Sequence, residues 1–415
     1  RVSCIMNRFI NINSCSFVAK TSNSMGIPLK YNIRNLIVRK ITTGLTVLGI
    51  ALVVAVFLCV MSLAEGLERV FKSSGSVRNI IVLRQNSQSE VQSGVTRDQV
   101  PLVMALAGIE RDTDGSPLAS PELVVGLNLE KIEGGASNVT LRGISEKGPL
   151  LRPQFRLIGG RMFRPGLSEV IVSRGISKRF KNCSLGDTIR FGFYEWNVVG
   201  VFDAGGTAPD SEIWTDVQGA MNDFKRSAYS SVLLQTTDSI ARDQILAALA
   251  GDPRLSLEGK SERAYYEEQT STAEPIKFLG FFIGVIMAIG ASFGAMNTMY
   301  ATVSARTQEI ATLRVLGFSR LAILTSFVIE ALCLALLGGF LGCLLGMLAV
   351  NLALTGITGT TNFATFSEVV FAFRLTPKLL LTGIVFSLFT GLVGGILPAS
   401  RAAFTKITLA LRQVG

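Results

Sequence analysis

Four long apolar runs set the frame of this 415-residue chain. Ile41–Ala64 is 24 residues without a charge, Phe278–Val303 has no charge, Leu321–Leu354 has only Glu330, and Leu379–Ala399 is 21 uncharged residues. About 20 apolar residues cross a bilayer core, so each run reads as a transmembrane helix. Between the first two runs lies Glu65–Pro275, of mixed polarity. Short apolar runs with a strand-like pattern recur there: Ile80–Leu83, Leu123–Gly126, Val139–Ile144, Val170–Ser173, Thr188–Phe191, Val198–Phe202 and Ser231–Leu234. Helical patches, Gln99–Ala107 and Asp238–Leu249, are interleaved with them. The pattern predicts an α-helical membrane protein of four spans with a large α+β domain inserted between spans one and two. That domain is large enough for one core or two subdomains. Glu65–Phe71 and Ser261–Thr272 read as helical extensions of the spans, a stalk.

Charges at the ends of the runs orient them. Leu29–Lys40 places Leu29, Ile33, Leu36 and Ile37 on one helical face with Lys30, Arg34, Arg39 and Lys40 around it. This predicts an interfacial amphipathic helix, with a plain basic flank as the alternative. Basic residues before span one place the N-terminus in the cytoplasm and the large domain outside. Arg306, Arg314 and Arg320 return the short segment 304–320 to the inner side, and Arg401, Lys406 and Arg412 do the same for the tail. Arg374 and Lys378, in the outer loop, run against the trend. The divisions are therefore a patternless segment 1–27, an interfacial helix 28–40, spans at 41–64, 276–303, 321–350 and 379–399, an outer domain with its stalk at 65–275, an inner segment 304–320, an outer loop 351–378 and a tail 400–415. Residues 1–27 begin with Arg and lack a signal-peptide core; they are expected to be disordered or upstream translation, with Met25 the native start.

Ser304–Ile323 is short, basic and amphipathic. Read as a helix, it puts Ile310, Leu313 and Gly317 on one face with Glu309 and Arg314 beside it. A small apolar face ringed by charge suits docking into a cleft of a soluble partner. A basic tether between two spans is the plainer alternative. The run E-I-A-T-L-R-V-L-G-F-S-R resembles the coupling segment of MacB/FtsX-type permeases of ABC transporters, through Glu309, Leu313, Arg314, Gly317, Phe318 and Arg320. The pieces G-G-R-M-F, S-E-V-I-V-S, L-G-D-T-I-R-F and W-N-V-V-G-V-F, and the stretch Ala204–Trp214, resemble that family's extracytoplasmic core domain. The resemblance covers the chain from about residue 28 onward. It implies that the segment between spans two and three docks on an ATPase subunit, which would use ATP and Mg, and that this chain binds no cofactor itself.

Polar and small residues inside the spans have two readings. Asn297, the one strongly polar side chain of span two, is expected to make an interhelical hydrogen bond. Glu330 needs a partner or shallow depth. Pairing near the inner interface, with Arg306, competes with a part in transmitting motion from the coupling segment. Gly338, Gly342 and Gly346 in span three, and Gly391 and Gly395 in span four, let another helix approach closely.

Composition narrows the chemistry. The chain is 48% hydrophobic and only 17% charged, where soluble domains have about a quarter charged. The net charge of +10 comes largely from residues flanking the spans, so we read no nucleic-acid partner from it. There is no histidine, which excludes His-based triads and zinc sites, and the six cysteines have no CxxC spacing. Gly259-Lys260-Ser261 is a chance echo of a phosphate loop, because Arg254 stands where its first glycine belongs. No catalytic or metal-binding set stands out, and the charged residues of the outer domain read as a solvated surface.

A non-catalytic permease subunit of the inner membrane follows, with both termini cytoplasmic and the large domain in the periplasm. Two copies, or this chain with a relative, would pair through the glycine faces. The resemblance implies export or extraction of a lipid, lipoprotein, peptide or drug-like substrate. A periplasmic adaptor or outer-membrane protein and membrane lipid are its further expected partners. The alternative is an FtsX-like signalling subunit that activates a cell-wall hydrolase without transport.

Overall fold

The computed structural model describes residues 40–252, 255–270, 274–352, 358–361, 368–371 and 373–404. The patternless segment 1–27, the interfacial helix apart from Lys40, parts of the outer loop 351–378 and the tail beyond Phe404 lie outside the described residues. The helices are α1 (Lys40–Lys72), α2 (Gln99–Met104), α3 (Arg174–Arg179), α4 (Val217–Asp223) and α5 (Ser239–Gly251). They continue with α6 (Glu262–Gln269), α7 (Glu274–Ala305), α8 (Thr307–Val315), α9 (Arg320–Leu352) and α10 (Pro377–Phe404). Four helical stretches are long and apolar enough to cross a membrane: α1, α7 with the segment before it, α9 and α10. The chain divides into two compact units.

The first unit takes the described residues up to Leu58, Phe282–Gly346 and those from Pro377 on. It is helical, and its helices meet through small residues. A Cβ built on Gly342 of α9 would stand 2.7 Å from Val54 Cβ and 2.8 Å from the Ala51 carbonyl oxygen of α1. One on Gly338 would stand 2.8 Å from Ile50 Cβ, and Gly346 faces Leu58 at 3.5 Å. On α10, a Cβ built on Gly391 would stand 2.3 Å from Ala335 Cβ of α9, and one on Gly395 2.5 Å from Ala331 Cβ. The glycine faces are therefore filled by the chain's own helices. They do not pair two copies, as the spacing suggested, because each i, i+4 stripe is already covered inside one chain. Gly342→Val is expected to wedge α1 from α9 and cost about 1–3 kcal/mol. Gly290→Val, whose Cβ meets nothing within 4 Å, is the control. The check is loss of helical circular dichroism in rising denaturing detergent: the first variant should melt earlier, the second with the parent.

Asn297 also departs from expectation. It is exposed on α7 and makes no interhelical hydrogen bond among the described residues. Its neighbour does: Thr46 Oγ1 donates to Thr298 Oγ1 at 3.1 Å, joining α1 to α7. One residue of helical rotation, about 100°, separates the two side chains, and periodicity alone does not set that phase.

The second unit is Cys59–Phe281 with Met347–Thr376. Its ten-stranded sheet has the order β12-β1-β11-β3-β4-β9-β6-β8-β5, with β7 paired to β8. The strands are β1 (Asn79–Arg84), β2 (Val95–Thr96), β3 (Ala119–Glu130), β4 (Ala136–Ile144), β5 (Arg156–Gly160), β6 (Glu169–Ser173) and β7 (Thr188–Phe191). They continue with β8 (Tyr194–Asp203), β9 (Glu212–Asp216), β10 (Ala228–Tyr229), β11 (Ser231–Gln235), β12 (Leu257–Ser261), β13 (Thr358–Thr361) and β14 (Glu368–Phe371). Each strand-like run of the sequence lies in one of them. The long hairpin β3–β4 is antiparallel, with Leu123 opposite Gly143, whereas β4 and β9 run parallel, with Thr140 opposite Glu212. Apolar side chains gather in separate cores along the sheet. One holds Ile80, Val82, Leu123, Val232 and Ile245; another holds Val139, Leu141, Val172, Trp196 and Ile213. Gly259-Lys260-Ser261 is part of strand β12, paired to β1, and forms no phosphate loop.

Two features of this unit were not legible beforehand. The outer loop between spans three and four is part of the domain core. Val369 and Phe371 join one apolar cluster and Val370 another, and Val370 N–H donates to Ser211 Oγ at 2.7 Å. The charged residues, moreover, are not all surface. Arg142, on β4, is 3% exposed and is surrounded by Glu90, Glu122 and Glu212, none more than 5% exposed. Its Nη1 and Nη2 grip Glu90 at 2.8 and 2.9 Å, and its Nε and Nη2 grip Glu212 at 2.9 and 2.8 Å. Nη1 also donates to Glu122 at 2.8 Å, so all the guanidinium donors are used. Arg152 holds Glu122 bidentately from the other side at 2.8 and 2.7 Å. The solvated-surface reading fails here because both faces of the sheet are covered at the end of β4, so polar–apolar alternation stops reporting exposure.

Candidate coupling site

Helix α8 follows α7 after Arg306 and stops at Val315, and the stop is chemically specified. Phe318 N–H donates to the Leu313 carbonyl at 3.1 Å, and Gly317 N–H to the Arg314 carbonyl at 3.2 Å. Gly317 has φ +97°. This is a Schellman cap, in which the left-handed residue is glycine because a side chain there is strained. Gly317 therefore lies beyond the helix and shares no face with Ile310 and Leu313, contrary to the periodicity reading. Ile310 is also turned inward: it is buried with Met299, Val303, Ile323 and Phe327. Leu313 is half-buried and Phe318 likewise.

The exposed apolar surface is instead Val315 and Leu316, 65% and 64% exposed at the C-terminal end of α8. Glu309, also exposed, stands on the first turn. The signal for the pair was present in R-V-L-G: once glycine ends the helix, the residues before it project into solvent. Two of the basic residues contact the chain's own last helix. Arg314 Nη1 donates to the Ala403 carbonyl at 3.4 Å, and Arg320 stacks 5.3 Å from the Phe404 ring centroid. Both meet the last turn of α10, where cations complement the helix dipole.

Beneath this surface Arg306 and Glu330 form an ion pair, Nη1 to Oε2 at 3.1 Å, with side chains 7% and 6% exposed. Arg306 Nε also reaches Glu309 Oε2 at 3.2 Å, and its guanidinium lies 5.3 Å from the Phe327 ring centroid. One arginine thus links the exposed carboxylate of α8 to the buried carboxylate of α9. Among the described residues no group of acidic, histidine or cysteine side chains could hold a metal.

Two family descriptions match the chain. Residues 43–251 match the MacB-like periplasmic core domain, and residues 281–407 match the FtsX-like permease C-terminal domain. The chain belongs to the MacB/FtsX-type family of ABC transporter permeases. This permease is 25% identical over 411 residues to YknZ, an uncharacterized ABC transporter permease of Bacillus subtilis, covering 92% of this chain and 98% of that one. It is 26% identical over 402 residues to the macrolide export ATP-binding/permease protein MacB of Pasteurella multocida. That match covers 90% of this chain but spans only 58% of the MacB protein. The extracellular domain of YknZ, solved as a crystal structure, aligns with 44% of this chain and 99% of its own at 16% identity, with a TM-score of 0.34. As a member of this family with four membrane-spanning helices, the permease is a multi-pass inner-membrane protein.

Proposed function

We propose that this permease is the membrane subunit of an ABC transporter and takes its energy from a separate ATPase bound at Val315, Leu316 and Glu309. The observation that carries the reading is an exposed aliphatic pair at the end of a capped helix, beside a carboxylate, in a segment tied to α9 through Arg306 and to α10 through Arg314. Such a pair is a small hot spot for a groove on a soluble partner. The resemblance to YknZ, matched over nearly its whole length and described as a permease alone, supports separation of permease and ATPase. ATP and Mg are used on that partner. The cargo class is an exported or extracted amphiphile: a lipid, lipoprotein, peptide or drug-like compound. Export of macrolides by the MacB relatives supports that class. The lower ends of the stalk helices, joined in the second unit by the ion pair of Lys277 with Glu68, provide the lever for moving the large domain. Both termini and α8 lie on the cytoplasmic side in this reading, since the basic residues concentrate there.

The test is co-purification of the permease with its candidate ATPase and measurement of ATP hydrolysis. Val315→Asp/Leu316→Asp is expected to release the ATPase and lower permease-dependent hydrolysis at least about tenfold, the effect of losing a small hot spot. Both residues are exposed, so the variant should still fold. Undiminished binding by a folded variant sinks the proposal.

A further inference from the structure

We infer that a cleft in the large domain, at the end of helix α1, binds a phosphate group, carried by an anionic amphiphile or free in solution. The cleft is about 450 Å³ and lies wholly within the second unit. Three arginines line it from separate parts of the chain: Arg69 on the last turns of α1, Arg174 at the start of α3, and Arg374 shortly before α10. Arg174 is paired with Asp203. Asp210, the other carboxylate, is turned to the backbone and accepts from Ala204 N–H at 2.6 Å and Gly206 N–H. Arg69 and Arg374 have no side-chain hydrogen bond or ion pair among the described residues. The charge of the cleft is therefore positive, and two of its guanidiniums are uncommitted. A guanidinium fork matches a phosphate with two parallel hydrogen bonds.

Apolar residues, Val70, Val370 and Phe371, also line the cleft. It is also firm. Ser173 Oγ donates to the Asp210 carbonyl at 2.6 Å, and a Cβ added to Gly175 would stand 2.8 Å from that same oxygen and 3.0 Å from Val370. A site lined by both cations and packed aliphatic and aromatic groups fits a charged head attached to an apolar body. Its place along the chain suits such a ligand. Arg69 follows the first apolar run by five residues, about 7.5 Å along a helix, and Arg374 precedes Pro377, the first residue of α10, by three. Both arginines therefore stand where chain leaves the membrane on the side of the large domain. This also accounts for Arg374, whose charge ran against the orientation of the spans.

The source of the phosphate is either a membrane phospholipid or a free anion. Full-length permease in neutral detergent, offered equal amounts of phosphatidylglycerol and phosphatidylcholine, is analysed by native mass spectrometry for retained lipid. Lipid-depleted protein is separately given millimolar inorganic phosphate against chloride at matched ionic strength, and its thermal unfolding is followed by tryptophan fluorescence. Retention of phosphatidylglycerol over phosphatidylcholine by about tenfold, reduced to parity in Arg69→Gln/Arg374→Gln, assigns the site to lipid. Stabilisation by inorganic phosphate, lost in the same variant and without a lipid preference, assigns it to a free anion and keeps the site. Arg156→Gln/Arg190→Gln, on β5 and β7 of the same domain, is the control and should behave as the parent. Both arginines of the test variant are exposed, so its unfolding midpoint without ligand should match the parent. No lipid preference and no phosphate effect, or effects that persist in the test variant, overturn the inference. It does not depend on the ATPase docking at α8, whose failure would leave this result untouched.

Discussion

Arg142→Leu is expected to destabilise the large domain by about 5 kcal/mol, the upper part of the range for stripping one partner from a buried ion network. The variant leaves Glu90, Glu122 and Glu212 together in the interior with Arg152 alone opposite them, and Arg152 reaches only Glu122. Arg142→Lys should be only a partial rescue, because an ammonium cannot reproduce the fork that holds Glu90 and Glu212 at once. Tryptophan fluorescence reads this unit selectively. The chain has two tryptophans, Trp196 and Trp214, and both are in the domain. Trp214 Nε1–H donates to Glu212 Oε2 at 2.7 Å, so it also reports the network directly. The unfolding midpoint should fall by roughly 10–20 °C for a domain of this size. A midpoint within about 2 °C of the parent would show that the network contributes little. The same network sets an acid limit. Burial pushes the Glu122 carboxyl up, but the Arg152 and Arg142 guanidiniums outweigh it and hold the group below the ordinary glutamate value. A depressed carboxylate contributes stability above its unfolded pKa, and that contribution is lost as pH falls through the folded one. Glu262 has the opposite sign: burial raises it further than Arg152 lowers it, so its contribution grows as pH falls.

Glu330→Leu is expected to cost about 3 kcal/mol, the lower part of the same range, because Arg306 keeps Glu309 at 3.2 Å when its buried partner is gone. Arg306→Leu/Glu330→Leu should recover most of the loss, since replacing both charges by apolar groups removes the desolvation cost of each. The measurement is helicity against denaturing detergent for the two singles and the double. A single as stable as the parent, or a double no better than the single, would contradict the pairing. Hydrolysis by the bound ATPase then separates the two sequence readings of Glu330. A double variant that folds and still stimulates hydrolysis assigns the pair to packing. One that folds but no longer stimulates hydrolysis makes it the link from α8 to the spans.

The membrane architecture was legible because its signal is local. A run of about 20 apolar residues has one outcome in a bilayer. The strand runs of the domain were legible for the same reason. Gly317 was singled out as a coupling residue, but its part in the Schellman cap depends on a hydrogen bond spanning five residues, which periodicity does not contain. The phase of a helix relative to its neighbours was also hidden, so the interhelical hydrogen bond was expected of Asn297 and is made by Thr298. The glycine stripes were correctly read as close-packing faces, but only packing reveals which helix fills them.

By itself, then, the sequence determined four spans, the inserted α+β domain and the family. The tertiary structure decided that the charges of the domain include a buried hub, that the loop before span four belongs to the domain core, and that Arg69, Arg174 and Arg374 converge on one cleft. These three share a physical reason. Glu90, Glu122, Arg142 and Glu212, like the three arginines, are brought together from tens to hundreds of residues apart by the tertiary fold. Charged side chains look alike in sequence whether water or a counter-ion compensates them, and only their neighbours in space decide which.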